Sequence, residues 1–290
     1  MRMNMLCSST DRLGDNMLFD AHTHLNETSL KPAEKEKFIR SIEDEGMMIC
    51  DIGFDLESSM NACSHANMYD WCYAAVGSHP HDADNMDDMQ LELIKGLARR
   101  EKVVAIGEIG LDFFKNYSER DNQEYWFRKQ IRLANELKMP IAIHERDAVQ
   151  PVMQILKEEG AFSDERKSWF PKRPGPGGKM TDDARVVIHC FSASKEIALQ
   201  YAAMGATISV AGPITYKNNR KTKEACAAVP IEYLLIETDA PYLTPEPHRG
   251  KRNVPAFVKY TAQGVADIKG MEYEDVVRIT CENARRFYGI

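Results

Sequence analysis

Eight short runs of apolar and β-branched residues recur along this chain, each followed by a longer stretch with helical spacing of its apolar positions. The runs are MLFDAH from Met17, MMICDIGF from Met47, CYAAVGSH from Cys72 and VVAIGEIG from Val103. They continue with PIAIHERD from Pro140, RVVIHCFS from Arg185, ATISVAG from Ala206 and LLIETDAP from Leu234. Helix-like segments such as Glu124–Leu137, Asp147–Glu159 and Lys195–Met204 lie between them. Eight strands alternating with helices in 290 residues predict an α/β protein built as a single (β/α)8 TIM barrel. A doubly wound open sheet is the structural alternative, but no G-x-G-x-x-G follows the first run to support it.

The domain reading follows the same rhythm. Residues 1–16 are read as a flexible N-terminal extension, with Met17 an equally good start, and residues 17–290 as one barrel domain. Ser163–Asp183, rich in Pro, Gly and charge, interrupts the alternation after the fifth helix. In a barrel that position is the N-terminal face, so the segment is expected to be a flexible loop away from the chemistry.

Composition narrows the setting. No apolar run approaches the ~20 residues of a membrane span, and the N-terminus lacks the apolar stretch of a secretory signal. Seven cysteines include no C-x-x-C pair and are odd in number, which points to free thiols in a reducing compartment, taken as the cytoplasm. A net charge of −7 argues against coating nucleic acid by bulk electrostatics, yet allows a local basic patch beside a site. Oligomeric state is not readable, and a monomer is compatible with everything above.

In a barrel the active site is built from the C-terminal ends of the strands. Those ends carry His22 and His24 in the first run, His79 and His81 after the third, and Glu108 in the fourth. His144, His189 and Asp239 follow in the fifth, sixth and eighth. Each has an ordinary structural explanation: a solvated strand edge for His22 and His24, a salt-bridge partner for Glu108, a core histidine for His189, a turn for Asp239. Together they do not. Packed without a cation, two carboxylates repel and several imidazoles lack partners. A divalent ion resolves both problems, and nitrogen and oxygen donors without thiolate suit Zn²⁺, Mn²⁺ or Mg²⁺. Six candidate ligands exceed the four of a closed zinc site, so two ions per chain are expected. Glu108 is the best bridge; His22, His24 and Asp239 complete one ion, and His144 with His189 the other.

Taken in order, "FDAHTH", "GSHPH", "AIGEIGLDF", "IHERDA", "HCFS", "LLIETDAPYLTP", "RNVP" and "ENARRFYG" span Phe19 to Gly289. In these motifs the chain resembles the TatD-family metal-dependent deoxyribonucleases of the amidohydrolase-like superfamily. The resemblance implies the barrel, the same ligand roles, and Mg²⁺-, Mn²⁺- or Zn²⁺-dependent hydrolysis of phosphodiester bonds. The extension before Met17 and the insertion near Pro174 are less typical and touch no motif.

The expected reaction is attack on phosphorus by a water whose pKa is lowered from ~15.7 toward neutrality by metal binding. Asp239, with Glu108, is assigned the catalytic role, orienting that water and accepting its proton. His79 and His81 are read as phosphate contacts or donors to the leaving group. Arg146, Lys217, Arg220, Arg249 and Arg252, in loops at the same mouth, are candidate phosphate contacts; solvated loop cations are the alternative. Tyr216 and Phe114 are candidates for stacking on bases. Glu237, Asp20 and Asp112 are read as supports, while His65 and His248 receive no ligand role. The expected substrate is DNA, single-stranded or frayed at 3′ ends, trimmed from the 3′ end or nicked at damaged sites. A hydrolase of the same fold acting on an amide, a lactone or a small phosphoester is the alternative, although many such enzymes bridge their metals with a modified lysine where this chain has Glu108. A non-catalytic metal- or nucleic-acid-binding subunit is a third reading.

Overall fold

The computed structural model describes residues 17–290, so the 1–16 extension lies outside the described residues. The expected alternation is present. The first half runs β1 (Phe19–Thr23), α1 (Pro32–Glu45), β2 (Met48–Ile52), α2 (Leu56–Met68), β3 (Cys72–Val76), α3 (Asp88–Ala98), β4 (Val103–Asp112) and α4 (Arg120–Leu137). The second half runs β5 (Ile141–Arg146), α5 (Val149–Glu158), α6 (Asp164–Ser168), β6 (Arg173–Pro174), β7 (Met180–Thr181), β8 (Val186–Ile188) and α7 (Lys195–Met204). It ends with β9 (Thr207–Val210), α8 (Arg220–Ala228), β10 (Leu234–Ile236), α9 (Val258–Lys269) and α10 (Tyr273–Tyr288).

Eight parallel strands form one sheet in the order β1-β2-β3-β4-β5-β8-β9-β10, while β6 and β7 pair only with each other. The sheet closes on itself past the end of β10. There the Asp239 N–H donates to the His22 carbonyl at 2.9 Å and the His24 N–H to the Ala240 carbonyl at 2.8 Å. Asp20 adds to this seam by accepting from the Thr238 N–H at 2.8 Å. Lower down, α10 satisfies what the seam leaves open: Tyr288 donates to the Ala21 carbonyl at 2.7 Å and Asn283 to the Leu234 carbonyl at 2.9 Å. The fold is a (β/α)8 TIM barrel.

Burial divides into two apolar clusters. The larger lies between strands and helices. The smaller joins Phe19, Cys50, Ala75, Ala105, Ala142, Val187 and Leu235, from seven of the barrel strands, with Phe287 and Tyr288 of α10. Residues from so many strands meet only inside a barrel, so this cluster fills it below the site. Two glycines set how β4 runs against β5. A Cβ at Gly107 would stand 2.7 Å from that of Ala142, and one at Gly110 would overlap the His144 carbonyl oxygen at 1.9 Å. Only glycine permits that approach, which brings Glu108 alongside His144.

The expectation of a flexible loop over 163–183 is corrected. The segment contains α6 and the antiparallel β6/β7 ribbon, and two of its arginines are among the largest fully buried side chains of the protein. Arg166 donates to the Ala184 carbonyl at 2.9 Å, the Met139 carbonyl at 2.8 Å and Asn135 Oδ1 at 2.7 Å. Arg173 donates to the Ala206 carbonyl at 2.9 Å and the Ala202 carbonyl at 3.2 Å, with its guanidinium 3.8 Å from the Tyr233 ring centroid. The fork of each guanidinium gathers carbonyls at helix ends and strand starts. The insertion staples the N-terminal face, opposite the site.

Candidate metal centre

The centre is organised by Glu108, whose two carboxylate oxygens face different groups of imidazoles. Oε2 lies 3.4 Å from His22 Nε2 and 3.7 Å from His24 Nε2. Those two nitrogens are 3.3 Å apart, and Asp239 Oδ1 lies 3.3 Å from His24 Nε2 and 3.9 Å from His22 Nε2. Oε1 lies 2.7 Å from His144 Nδ1, 3.0 Å from His189 Nε2 and 3.5 Å from His79 Nε2. Three overlapping groups therefore have donor atoms close enough to share an ion: His22, His24 and Asp239; His22, Glu108 and His189; His79, Glu108 and His144.

Chain geometry explains the convergence. His22 stands one residue before the end of β1 and His24 just beyond it; Glu108 and His144 stand within β4 and β5; His189 follows β8 directly. Asp239, three residues beyond β10, has φ of 54°, a left-handed conformation uncommon outside glycine that aspartate tolerates better than most residues. Its N–H is held by His22, so the seam turns the chain back over the centre.

The second nitrogen of each ring indicates whether the first can hold a metal. His24 Nδ1 lies 2.8 Å from the Ile52 carbonyl, which only accepts, and His189 Nδ1 lies 3.1 Å from the Glu237 carboxylate. Both rings therefore carry the proton on Nδ1 and can offer an Nε2 lone pair. His79 is different. Its Nδ1 accepts from the His81 N–H at 3.1 Å, so the neutral ring carries its proton on Nε2, as a donor toward Glu108. His144 has a carboxylate at each nitrogen, Glu108 at 2.7 Å and Asp112 at 3.2 Å.

Charges follow the same pattern. Burial alone would raise the Glu108 pKa, but His189, His79 and the His144 hydrogen bond hold it well below the usual carboxylate range. Burial likewise opposes a charge on His24, yet the bond to Asp239 and the charges of Asp239 and Glu108 raise its pKa to about 9. For His189, burial is outweighed by Glu108 and Glu237, and its pKa rises well above the ordinary value. Burial lowers that of His22, helped by neighbouring His189. Protons thus occupy positions a cation suits, and this donor set fits a divalent ion.

Supporting residues are in place. Glu237 also accepts from the Cys190 N–H at 2.7 Å and the Ser209 hydroxyl at 2.5 Å, which fixes it beneath His189. Asp20 bonds the Thr238 main chain and hydroxyl rather than the His22 ring. Two features were not read from the sequence. Asp112, read only as a support, accepts from the Phe114 and Lys115 N–H groups, and its other oxygen also joins His81 at 2.8 Å to His144. His65 forms a buried pair with Asp51 at 2.7 Å, and Asp51 holds Asn26, whose amide shares the Ile52 carbonyl with His24. A buried Asp in a strand and a His in the next helix was the available signal.

The candidate phosphate contacts separate into two sets. The Arg146 guanidinium lies 4.1 Å from the Phe114 ring centroid and that of Arg249 lies 4.4 Å from Tyr216, a ring face that is thereby covered. Lys217 is exposed. Arg220, by contrast, pairs with Glu224 on α8 at 2.6 Å, and Arg252 with Glu34 of α1 at 2.6 Å. His248 packs on Phe257, away from the cluster.

A family model described as TatD related DNase matches residues 19–289. The chain is 43% identical over 274 residues to the uncharacterized metal-dependent hydrolase YabD of Bacillus subtilis, covering 94% of this chain and 100% of that one. It is 32% identical over 280 residues to the 3′-5′ ssDNA/RNA exonuclease TatD of Pantoea ananatis, with 94% and 100% covered. Among solved structures, the TatD homolog YJJV of Escherichia coli superposes with a TM-score of 0.82 at 24% identity, covering 96% of this chain and all of that one, so the two share the fold.

Proposed function

The chain belongs to the TatD-related DNase family, and from that premise we propose that it is a metal-dependent nuclease hydrolysing phosphodiester bonds of DNA, on single strands or frayed 3′ ends. The observation that carries this reading is Glu108, with one oxygen toward each group of imidazoles. His22, His24, Asp239 and Glu108 Oε2 would hold one divalent ion, and Glu108 Oε1, His144 and His189 a second. Ions held there would supply charge neutralisation at a phosphoryl oxygen and a water acidified from ~15.7 toward ~7. His79, by its tautomer, donates to Glu108 and steadies the bridge.

Asp239 orients the attacking water and takes its proton: its side chain is 15% exposed against 5% for Glu108, so it is the carboxylate that reaches the mouth. His81, one third exposed and held by Asp112, contacts the phosphate or protonates the leaving oxygen. Arg146, Lys217 and Arg249 hold the flanking phosphates, since Arg220 and Arg252 already have carboxylate partners. The six cysteines described are all free thiols, which supports a reducing compartment such as the cytoplasm. No helix among the described residues is long and apolar enough to cross a membrane.

The test uses metal-stripped protein and a 5′-labelled single-stranded oligonucleotide, with Mg²⁺, Mn²⁺ or Zn²⁺ restored. The expected result is a ladder shortening from the 3′ end, absent in Glu108→Ala and Asp239→Asn proteins. Two bound ions per chain without cleavage would overturn the reading and direct attention to lactones and amides.

A further inference from the structure

Large aromatic side chains left in water are uncommon, and their grouping is informative. Among the described residues the exposed ones are Phe114 at 57%, Tyr117 at 65%, Tyr125 at 49% and Tyr242 at 50%. Tyr125 packs beside Trp126 on α4, with ring centroids 5.0 Å apart. The other three gather at the candidate centre. Phe114 has the Arg146 guanidinium over its ring. Tyr117 lies 4.7 Å from His81, and Tyr242 lies 6.2 Å from His24, between ring centroids.

The two tyrosines stand at opposite ends of one run of contacts. From Tyr117 it passes through His81, Asp112 and His144 to Glu108 Oε1. From Glu108 Oε2 it passes to His24 and then Tyr242. The Tyr242 hydroxyl donates to Glu27 Oε2 at 2.6 Å, which orients the ring without covering its face. Tyr242 is thus held at its edge, Tyr117 has the Lys115 ammonium 5.6 Å from its ring centroid and one face left for a base, and the centre lies between them.

We propose that Tyr117 and Tyr242 each stack on one of the two bases flanking the scissile phosphate, so that the strand is held by its bases as well as its backbone. This rests on the nuclease reading above and adds to it which residues grip the bases. Every base has a π face, so such a grip tolerates sequence but requires a base free of its stacked neighbour. Duplex ends enter only where frayed.

The test compares two 5′-labelled thymidine oligonucleotides with Mn²⁺ present, one native and one with abasic tetrahydrofuran units at the nucleotides flanking the first scissile phosphate. Backbone and charge are identical; only the bases differ. In the unmodified enzyme, KM for the first cut is expected to rise at least roughly 30-fold on the abasic strand, since two bases each lose a stacking contact worth about 5-fold or more. In a Tyr117→Ala/Tyr242→Ala protein, native and abasic strands are expected to give the same KM, both near the abasic value of the unmodified enzyme. Tyr242→Phe, which keeps the ring and loses the Glu27 bond, is expected to retain the preference. Equal KM values for the two strands in the unmodified enzyme would overturn the proposal, as would a double variant impaired equally on both. Cleavage of neither strand by the unmodified enzyme would instead remove the nuclease reading and the grip with it.

Discussion

His24 shows how the site balances charge before any ion is considered. Its pKa, raised from 6.5 to about 9 against the cost of burial, reflects Asp239 and Glu108 on its Nε2 side. A histidine whose folded pKa is raised stabilises the protein fully below the unfolded value of 6.5, and loses that contribution as pH climbs through 9. Chelator-treated protein is therefore expected to melt at progressively lower temperature between about pH 6.5 and 9. Metal affinity should move the opposite way, because His24 and His189 must release protons to coordinate. Titration calorimetry in buffers of different ionisation enthalpy would show the proton release directly; an affinity flat across this range would contradict it. Glu237 sets a second expectation. Its bond to His189 fixes the ring tautomer, so Glu237→Gln should weaken one of the two proposed ions by about 10- to 100-fold. Metal titrations of the variant would resolve a changed step beside an unchanged one.

Elements carry the stability of the scaffold, and the insertion is the clearest case. Arg166→Ala would leave the Ala184 and Met139 carbonyls and Asn135 Oδ1 without their buried donor. A loss of about 2–4 kcal/mol is expected in urea unfolding, with metal-restored activity per folded molecule unchanged. Composition concealed this role, because Pro, Gly and charge describe a ribbon stapled by buried guanidiniums as readily as a loop. The start of α4 was hidden for a related reason. The helix begins at Arg120, four residues before the apolar pattern starts, because its first turn is fixed by a buried Gln123 that bonds the Asp112 N–H at 2.9 Å and the Ser118 carbonyl at 2.8 Å. Apolar spacing located the strands well, since their burial is apolar, and strand ends brought together all six residues read as ligands. It was silent where burial is polar. The tautomer of His79 depends on the His81 amide, and the second contact of Asp112 depends on a loop fold; neither has a signature in residue type.

The molecule as a whole closes where it is built to react. His22, His24 and Asp239 supply main-chain bonds that join the last strand to the first, and the same residues offer side chains to the centre. Removing metal should therefore be felt at the seam before it is felt elsewhere. Amide exchange measured on loaded and chelated protein is expected to quicken first at His24 and Asp239, while amides of β4 and β5, deep in the sheet, hold their protection. Uniform quickening would count against this. The coincidence of closure and site also has a practical side. A molecule that settles in the mouth tightens the clasp of the barrel, so it raises the melting temperature whether or not it is ever turned over. Collections of nucleotides, esters and lactones can then be screened by heat alone, and the true substrate sought without first knowing which bond is cut.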